Sequence, residues 1–277
     1  MTRVSYVVTG ASGGIGRACV AELVRRGAHV WASVRTDGDE ADLTRAYGDA
    51  VTVLRMDLRD PASITACGER VAAGGPVRGL VNNAGLARPG PLEYVPLEAF
   101  REQLDVNVTG QLAVTRAMLP ALRIAETARV VTLGSIGGRI AGPMVGPYHT
   151  SKFALVGLTD SLRAELAPEG IEVVLIEPGA VATPIWPRAR AAAEQVRATL
   201  PAAGLERYAA QLEAAERSAA RSARTGVPPR RAAEVVVRAL TARRPAPRYL
   251  VGTDARVAAV LANLPFRLRY RLTAAKR

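Results

Sequence analysis

Thr9-Gly10-Ala11-Ser12-Gly13-Gly14-Ile15-Gly16 follows an apolar run at residues 4–8 and opens a segment whose apolar members, Ala18, Val20, Leu23 and Val24, fall at helical spacing. Gly27, Ala28 and His29 then turn the chain into a second apolar run at 30–34. Strand, glycine-rich turn, helix and strand form the unit that a dinucleotide-binding loop requires. Gly10 permits the tight turn. Gly14 and Gly16 let backbone amides and a helix N-terminus approach a pyrophosphate. A glycine-rich turn alone is weak testimony; inside a readable β-α-β unit it is strong.

The end of the second run bears on the choice of dinucleotide. It reads Ala32-Ser33-Val34-Arg35-Thr36, with no acid at its tip. An acid there holds a ribose 2′-hydroxyl, whereas a guanidinium suits a 2′-phosphate. Arg35 therefore favours NADP(H) over NAD(H), while Asp37 keeps NAD(H) as the second reading.

Beyond this unit, strands are expected at 51–56, 78–82, 129–134, 172–177 and 248–251, with helices between them. Runs without alternation, such as Val173-Val174-Leu175-Ile176, suit a parallel sheet buried on both faces. The expected fold is α/β: a Rossmann-type doubly wound parallel sheet of about seven strands with helices on both faces. The alternation is unbroken, so residues 1–277 read as one domain.

Only two of the 37 basic side chains are lysines, Lys152 and Lys276. Lys152 stands four residues after Tyr148, within a helix expected over 148–166. That spacing puts a phenol and an ammonium on one helix face. A compact ammonium can bond a sugar hydroxyl and favour a nearby phenolate, which a planar guanidinium does less well. Tyrosine and lysine at helical spacing are also common on plain surfaces, so the pair gains its weight from the nucleotide loop.

With these residues placed, the chain resembles the short-chain dehydrogenase/reductase family, in its single-domain branch. The resemblance runs in order from about residue 3 to 183, and more loosely to 252. It rests on Thr9-Gly-x-x-x-Gly-x-Gly16, Asp57-Leu58, Asn82-Asn83-Ala84-Gly85, Asn107, Ser135, Tyr148-x-x-x-Lys152 and Pro178-Gly179 with Thr183. It implies cofactor contacts from Gly10, Ser12, Gly14, Ile15, Gly16, Arg35, Tyr148 and Lys152. It also implies that Asp57 meets the adenine amino group with Leu58 beside it, and that Asn83, Ala84 and Gly85 line the cofactor. Pro178 and Gly179 are then expected against the nicotinamide, and the Val181 backbone and Thr183 hydroxyl at its carboxamide. The implied catalytic set is Asn107, Ser135, Tyr148 and Lys152. Tyr148 exchanges a proton with the substrate oxygen and Ser135 steadies charge on that oxygen. Lys152 lowers the tyrosine pKa and grips the nicotinamide ribose, and Asn107 holds a water linking Lys152 to solvent.

The 184–229 segment departs from the core pattern and reads as two helices broken near Pro201-Ala-Ala-Gly204. In the family this segment is a substrate lid. Ile185, Trp186, Leu200, Leu205, Tyr208 and Leu212, with Met144, Val145 and residues 86–91, are expected to wall a site for a bulky apolar ketone or secondary alcohol. Packing in a dimer interface is the other use for such side chains. The broad pattern is similar to hydroxysteroid and retinol dehydrogenases.

Net charge is +12, and residues 228–277 hold twelve basic against two acidic side chains. Residues 253–277 read as a basic C-terminal tail, either simply solvated or in contact with an anionic membrane surface or an acidic carrier protein. No recognition module accompanies the charge, which argues against nucleic acid. Cys19 and Cys67, both in expected helices, lack metal-ligand spacing, and His29 and His149 are too scattered for a metal site, so no metal is expected. With neither a leader nor an apolar run of spanning length, a soluble cytoplasmic protein is expected, as a homodimer or homotetramer. The leading function is an NADP(H)-dependent oxidoreductase for a hydrophobic carbonyl or alcohol. The alternatives are a non-redox acid/base enzyme on the same scaffold, a ketoreductase for a carrier-bound acyl substrate, and a nucleotide sensor without turnover.

Overall fold

Every strand of the sheet runs parallel to its neighbours, and each begins and ends within one residue of its expected place. The computed structural model describes residues 3–274. The strands are β1 (Ser5–Val8), β2 (His29–Val34), β3 (Val51–Arg55), β4 (Gly79–Asn82), β5 (Ala128–Leu133), β6 (Ile171–Pro178) and β7 (Arg248–Val251). Their spatial order is β3-β2-β1-β4-β5-β6-β7. The helices that carry the crossovers are α1 (Gly14–Arg25), α2 (Asp37–Tyr47), α3 (Pro61–Ala73), α4 (Leu97–Leu104), α5 (Gly110–Arg123) and α6 (Gly146–Leu166). After β6 come α7 (Ile185–Thr199), α8 (Ala202–Thr225) and α9 (Pro229–Thr241), and after β7 come α10 (Thr253–Ala262) and α11 (Phe266–Ala274).

The unbroken apolar runs follow from burial on two sides. Val7, Leu80, Val130 and Val173 face one core, shared with Val114 and Met118 of α5. Their chain neighbours Val8, Val81, Val131 and Val174 face the other, shared with Leu23 of α1 and Val236 of α9. Adjacent strand residues point to opposite faces, so a sheet covered on both sides needs an apolar residue at each. Each such buried valine or leucine contributes roughly 1.5–3 kcal/mol.

The chain winds outward from β1 to β3, then returns to place β4 on the other side of β1. Open α/β sheets bind ligands at such a reversal, beyond the carboxyl ends of the strands. The glycine turn leaves β1 there, and Asn82-Asn83-Ala84-Gly85 leaves β4 there.

The stretch expected as a tail is folded through residue 274. Helix α10 buries Ala255 and Ala259 beside β7 and the turn after Ser135. Small alanines carry little hydrophobic signal, which hides this inner face in the sequence. Lys276 and Arg277 lie outside the described residues.

Candidate active site

The glycine turn has the shape an anion cradle needs. Gly10 and Gly14 have φ of +63° and +55°, conformations that favour glycine. A Cβ at Gly16 would collide with the Gly10 carbonyl oxygen. Buried Ser33 accepts from Gly10 N at 3.2 Å and ties the turn to β2. The first turn of α1 has neither a side-chain cap nor an acid, so its amides and positive dipole end face outward. These features fit a dinucleotide pyrophosphate. Ser12 lies part-exposed in the turn, and Ile15 packs against the core beneath it.

Asn83 acts chiefly on the loop itself. Its Nδ2 donates to Thr9 O at 2.8 Å and Gly10 O at 3.2 Å. Thr9 Oγ1 receives Asn83 N and Ala84 N, locking β1 to β4. Ala84 is part-buried against the turn, and Gly85 backs onto the Asn107 amide oxygen.

At the far end of β2, Arg35 is exposed. The carboxylate of Asp37 pairs with Arg55 Nη1 at 3.0 Å. Asp57 is held by Arg59, at 3.0 Å through Nη2, and that hydrogen bond keeps its carboxyl below the usual range. Leu58 was expected beside the adenine, but its side chain is buried with α3 and α5. Only its backbone remains for such a contact.

Ser135 follows β5 in extended backbone. Its Oγ accepts from Gly137 N at 3.0 Å and reaches Pro178 O at 3.5 Å. Tyr148 sits in the first turn of α6, one turn before Lys152. Lys152 is buried, and its Nζ donates to Leu133 O at 2.7 Å while standing 5.6 Å from the centroid of the Tyr148 ring. Burial pushes the Lys152 pKa down to about 8. Burial pushes the phenol up, and the opposing influence is a hydrogen bond with Ser135. The ammonium is turned toward Leu133 O and the ring.

Asn107 occupies a π-helical stretch, Asp105–Thr109, that joins α4 to α5. Such bulges are frequent at functional sites. Its Nδ2 donates to Leu86 O and to Ser151 Oγ, both at 3.0 Å, and its Oδ1 accepts from Leu86 N at 2.9 Å. Ser151 Oγ in turn donates to Tyr148 O at 2.7 Å. Asn107 thus reaches the start of α6 through a serine that sequence reading passed over.

Other positioning groups were also missed. His149 Nδ1 donates to Gly137 O at 2.9 Å, which pins the turn after Ser135 to α6. Fully buried Glu177 takes Arg139 in a fork, at 2.7 and 2.5 Å. Asp254 of α10 accepts from Ala180 N at 2.7 Å and leaves no room for a Cβ at Gly179. Pro178 and Gly179 are therefore held from two sides. Val181 is buried, its carbonyl accepts from Trp186 Nε1 at 2.7 Å, and Thr183 packs against Gly14.

The 184–229 segment closes on the residues before Tyr148. Met144, Leu200 and Leu212 are buried together, with Tyr94, Leu205 and Tyr208 packed on them. Much of the expected apolar wall thus packs on itself. Met144 has φ +67°, and its carbonyl accepts from Gly90 N at 2.7 Å.

The comparisons with known proteins fit this geometry. The NADPH-dependent 3-dehydrocapnine reductase of Ornithobacterium rhinotracheale is 37% identical over 66% of this chain and 68% of its own length. Human 17-beta-hydroxysteroid dehydrogenase type 1 is 35% identical over 90% of this chain and 77% of its own. A short chain dehydrogenase/reductase from Burkholderia phymatum, solved in complex with NAD, superposes with a TM-score of 0.79 at 28% identity, over 99% of this chain and 95% of that one. Residues 5–194 match the profile of the short chain dehydrogenases. A cradle after β1, a serine after β5 and a tyrosine–lysine turn on α6 thus occur together in a chain that belongs to the short-chain dehydrogenase family of NAD(P)-dependent oxidoreductases.

Proposed function

We propose that this protein interconverts a ketone and a secondary alcohol on a bulky hydrophobic substrate, with NADP(H) as the preferred cofactor. The observation that carries the reading is the meeting of Ser135, Tyr148 and Lys152 beyond β5, beside the strand reversal that holds the glycine cradle. When bound, the nicotinamide supplies or accepts the hydride. Tyr148, with its pKa held high, is a protonated acid near neutrality, which suits protonation of a carbonyl oxygen. Ser135 offers its hydroxyl to the same oxygen as negative charge grows there. Lys152 keeps positive charge under the tyrosine ring and carries a hydrogen-bond donor for the ribose. Asn107 and Ser151 fix the backbone of Tyr148.

The NADP(H) preference rests on exposed Arg35 and on Asp37, whose carboxylate is drawn to Arg55. The named NADPH-dependent relative supports it, and the NAD complex of the Burkholderia phymatum neighbour keeps NAD(H) open. The preference for a bulky apolar substrate rests on exposed Leu92 above Gly146, on part-buried Val145 just before Tyr148, and on part-buried Leu86, which Asn107 holds.

Calorimetry with NADPH and NADH on wild type and Arg35→Ala tests the cofactor, and a panel of bulky ketones followed at 340 nm tests the reaction. NADPH is expected to bind at least about tenfold more tightly, and Arg35→Ala to remove that advantage. If neither nucleotide binds, the reductase reading fails. Turnover without change at 340 nm points instead to a non-redox acid/base enzyme.

A further inference from the structure

Helix α10 has two unlike faces. Ala255 and Ala259 are buried toward β7, while Val257 and Val260 stand 61% and 67% exposed on the opposite side. Pro265 then turns the chain into α11, where Phe266 and Leu268 are 70% and 46% exposed. Arg256, Arg267 and Arg271 are exposed among these side chains. The one acid between residues 253 and 274, Asp254, is engaged with Ala180 N at the inner end of α10. The outer surface of both helices is therefore apolar and cationic together.

We propose that this face docks onto an anionic lipid surface. The chemistry of the patch selects that occupant over two others. A second copy of the chain seated on the same face by a two-fold axis sets arginine against arginine, since Asp254, the one acid of the two helices, is already engaged with Ala180 N. A soluble acidic protein answers the arginines and leaves Val257, Val260 and Phe266 without an apolar partner. A bilayer interface answers both: valine and phenylalanine enter the boundary of the acyl region, and arginine stems reach back to phosphates. The helices lie in the interface plane, since no helix among the described residues is long and apolar enough to cross a membrane. Because Asp254 joins α10 to the segment after β6, docking sets the membrane close to the substrate side of the site.

Co-sedimentation of the full chain with extruded vesicles tests this. One set is phosphatidylcholine alone and the other contains about one third phosphatidylglycerol. Binding is expected on the anionic set, at least about tenfold stronger than on the neutral one, and weakened by raised salt. Val260→Glu with Phe266→Glu, and separately Arg267→Gln with Arg271→Gln, are each expected to lower it about tenfold, with circular dichroism and melting unchanged. Phe266→Ser replaces the glutamate pair should that variant lose its fold. No binding to anionic vesicles overturns the proposal, as does equal binding to neutral ones. Full binding by the glutamate pair reduces the effect to unspecific charge and overturns it too. A smaller oligomer in the glutamate pair, read by analytical ultracentrifugation, shows that the face meets a second copy instead. Retention on a soluble acidic protein with no vesicle binding assigns the face to a protein partner.

Discussion

The ammonium of Lys152 donates to the carbonyl oxygen of Leu133, one strand end away from Ser135, and lies under the ring of Tyr148. This buried cation is a functional group held at the expense of stability. Burial lowers its pKa from 10.5 to about 8, so the folded chain releases the proton first. Between those values the unfolded chain binds more protons, and stability rises with pH across the window. Below about 8 the buried charge disfavours folding by up to about 3 kcal/mol. Replacing it leaves Leu133 O short of one donor, a loss of about 1 kcal/mol. Lys152→Met is therefore expected to stabilise the protein by about 1–2 kcal/mol at pH 7 and to lose that gain toward pH 10.5, while ketone reduction falls at least about 100-fold. Denaturant unfolding at both pH values, with rate assays, checks it; a destabilised variant at pH 7 contradicts it.

The same residues set the pH profile. The phenol of Tyr148 is pushed above its ordinary value, so the acid needed for reduction stays protonated through neutrality. Loss of the Lys152 proton near pH 8 is then the first change on the alkaline side. For ketone reduction, kcat/KM is expected to be flat from about pH 6 to 7.5 and to fall above about 8. Alcohol oxidation, which needs the phenolate, rises with pH over the same range. A reduction rate that climbs above pH 8 rules this assignment out.

Asn107 and Ser151 make a separable pair. Asn107→Ala removes three hydrogen bonds and leaves the part-buried Leu86 N–H unpaired, while Gln103 still serves the Leu86 carbonyl, so a loss of about 2–3 kcal/mol is expected. Ser151→Ala removes two, the one from Asn107 Nδ2 and the one to Tyr148 O, and is expected to lower stability by about 1–2 kcal/mol. Both act through the backbone of Tyr148. They are therefore expected to lower kcat while cofactor affinity, measured by calorimetry, stays within about twofold. A change in cofactor affinity alone places Asn107 at the cofactor instead.

Much of the sheet was legible because burial on both faces forces runs such as residues 173–176 to be apolar throughout. The cradle was legible because positive φ and close approach at Gly10, Gly14 and Gly16 demand glycine at fixed spacing. What stayed hidden are polar side chains whose partners lie far along the chain. Asp254 finds Ala180, Asn107 finds Ser151, and Arg139 finds Glu177, and no local pattern announces such pairs. The direction of the Lys152 ammonium was hidden too. Helical spacing places it on the face of Tyr148, and only the end of β5 decides which oxygen it meets.

Arg55 was passed over for the same reason, and it bears on cofactor choice. It pairs with exposed Asp37, next to Arg35 at the tip of β2. Arg55→Ala frees a carboxylate where a 2′-phosphate is expected and removes a neighbouring positive charge. NADPH affinity is expected to fall about five- to tenfold and NADH affinity to change less than twofold, by calorimetry at low salt. Equal losses for both nucleotides mean that the pair acts on the whole loop.

Arg139 and Glu177 tie the turn carrying Ser135 to the end of β6, where Pro178 and Gly179 begin. Glu177 is wholly buried, and removing one partner of a buried pair leaves an uncompensated charge. Glu177→Gln keeps the shape and one acceptor but leaves the part-exposed Arg139 guanidinium without its charge partner, at about 1–3 kcal/mol. Arg139→Met strands the buried carboxylate, at about 3–5 kcal/mol. The double variant Arg139→Met with Glu177→Leu removes both charges and is expected to recover most of the stability. Activity separates the two roles of the pair. If it only stabilises, the double variant regains kcat along with its fold. If the fork also holds Ser135 against Pro178 O, the double variant folds yet keeps a kcat lowered by about tenfold, with KM little changed. We expect the second result, because the fork spans the two loops that present Ser135 and Pro178, and apolar packing cannot reproduce its two directed bonds.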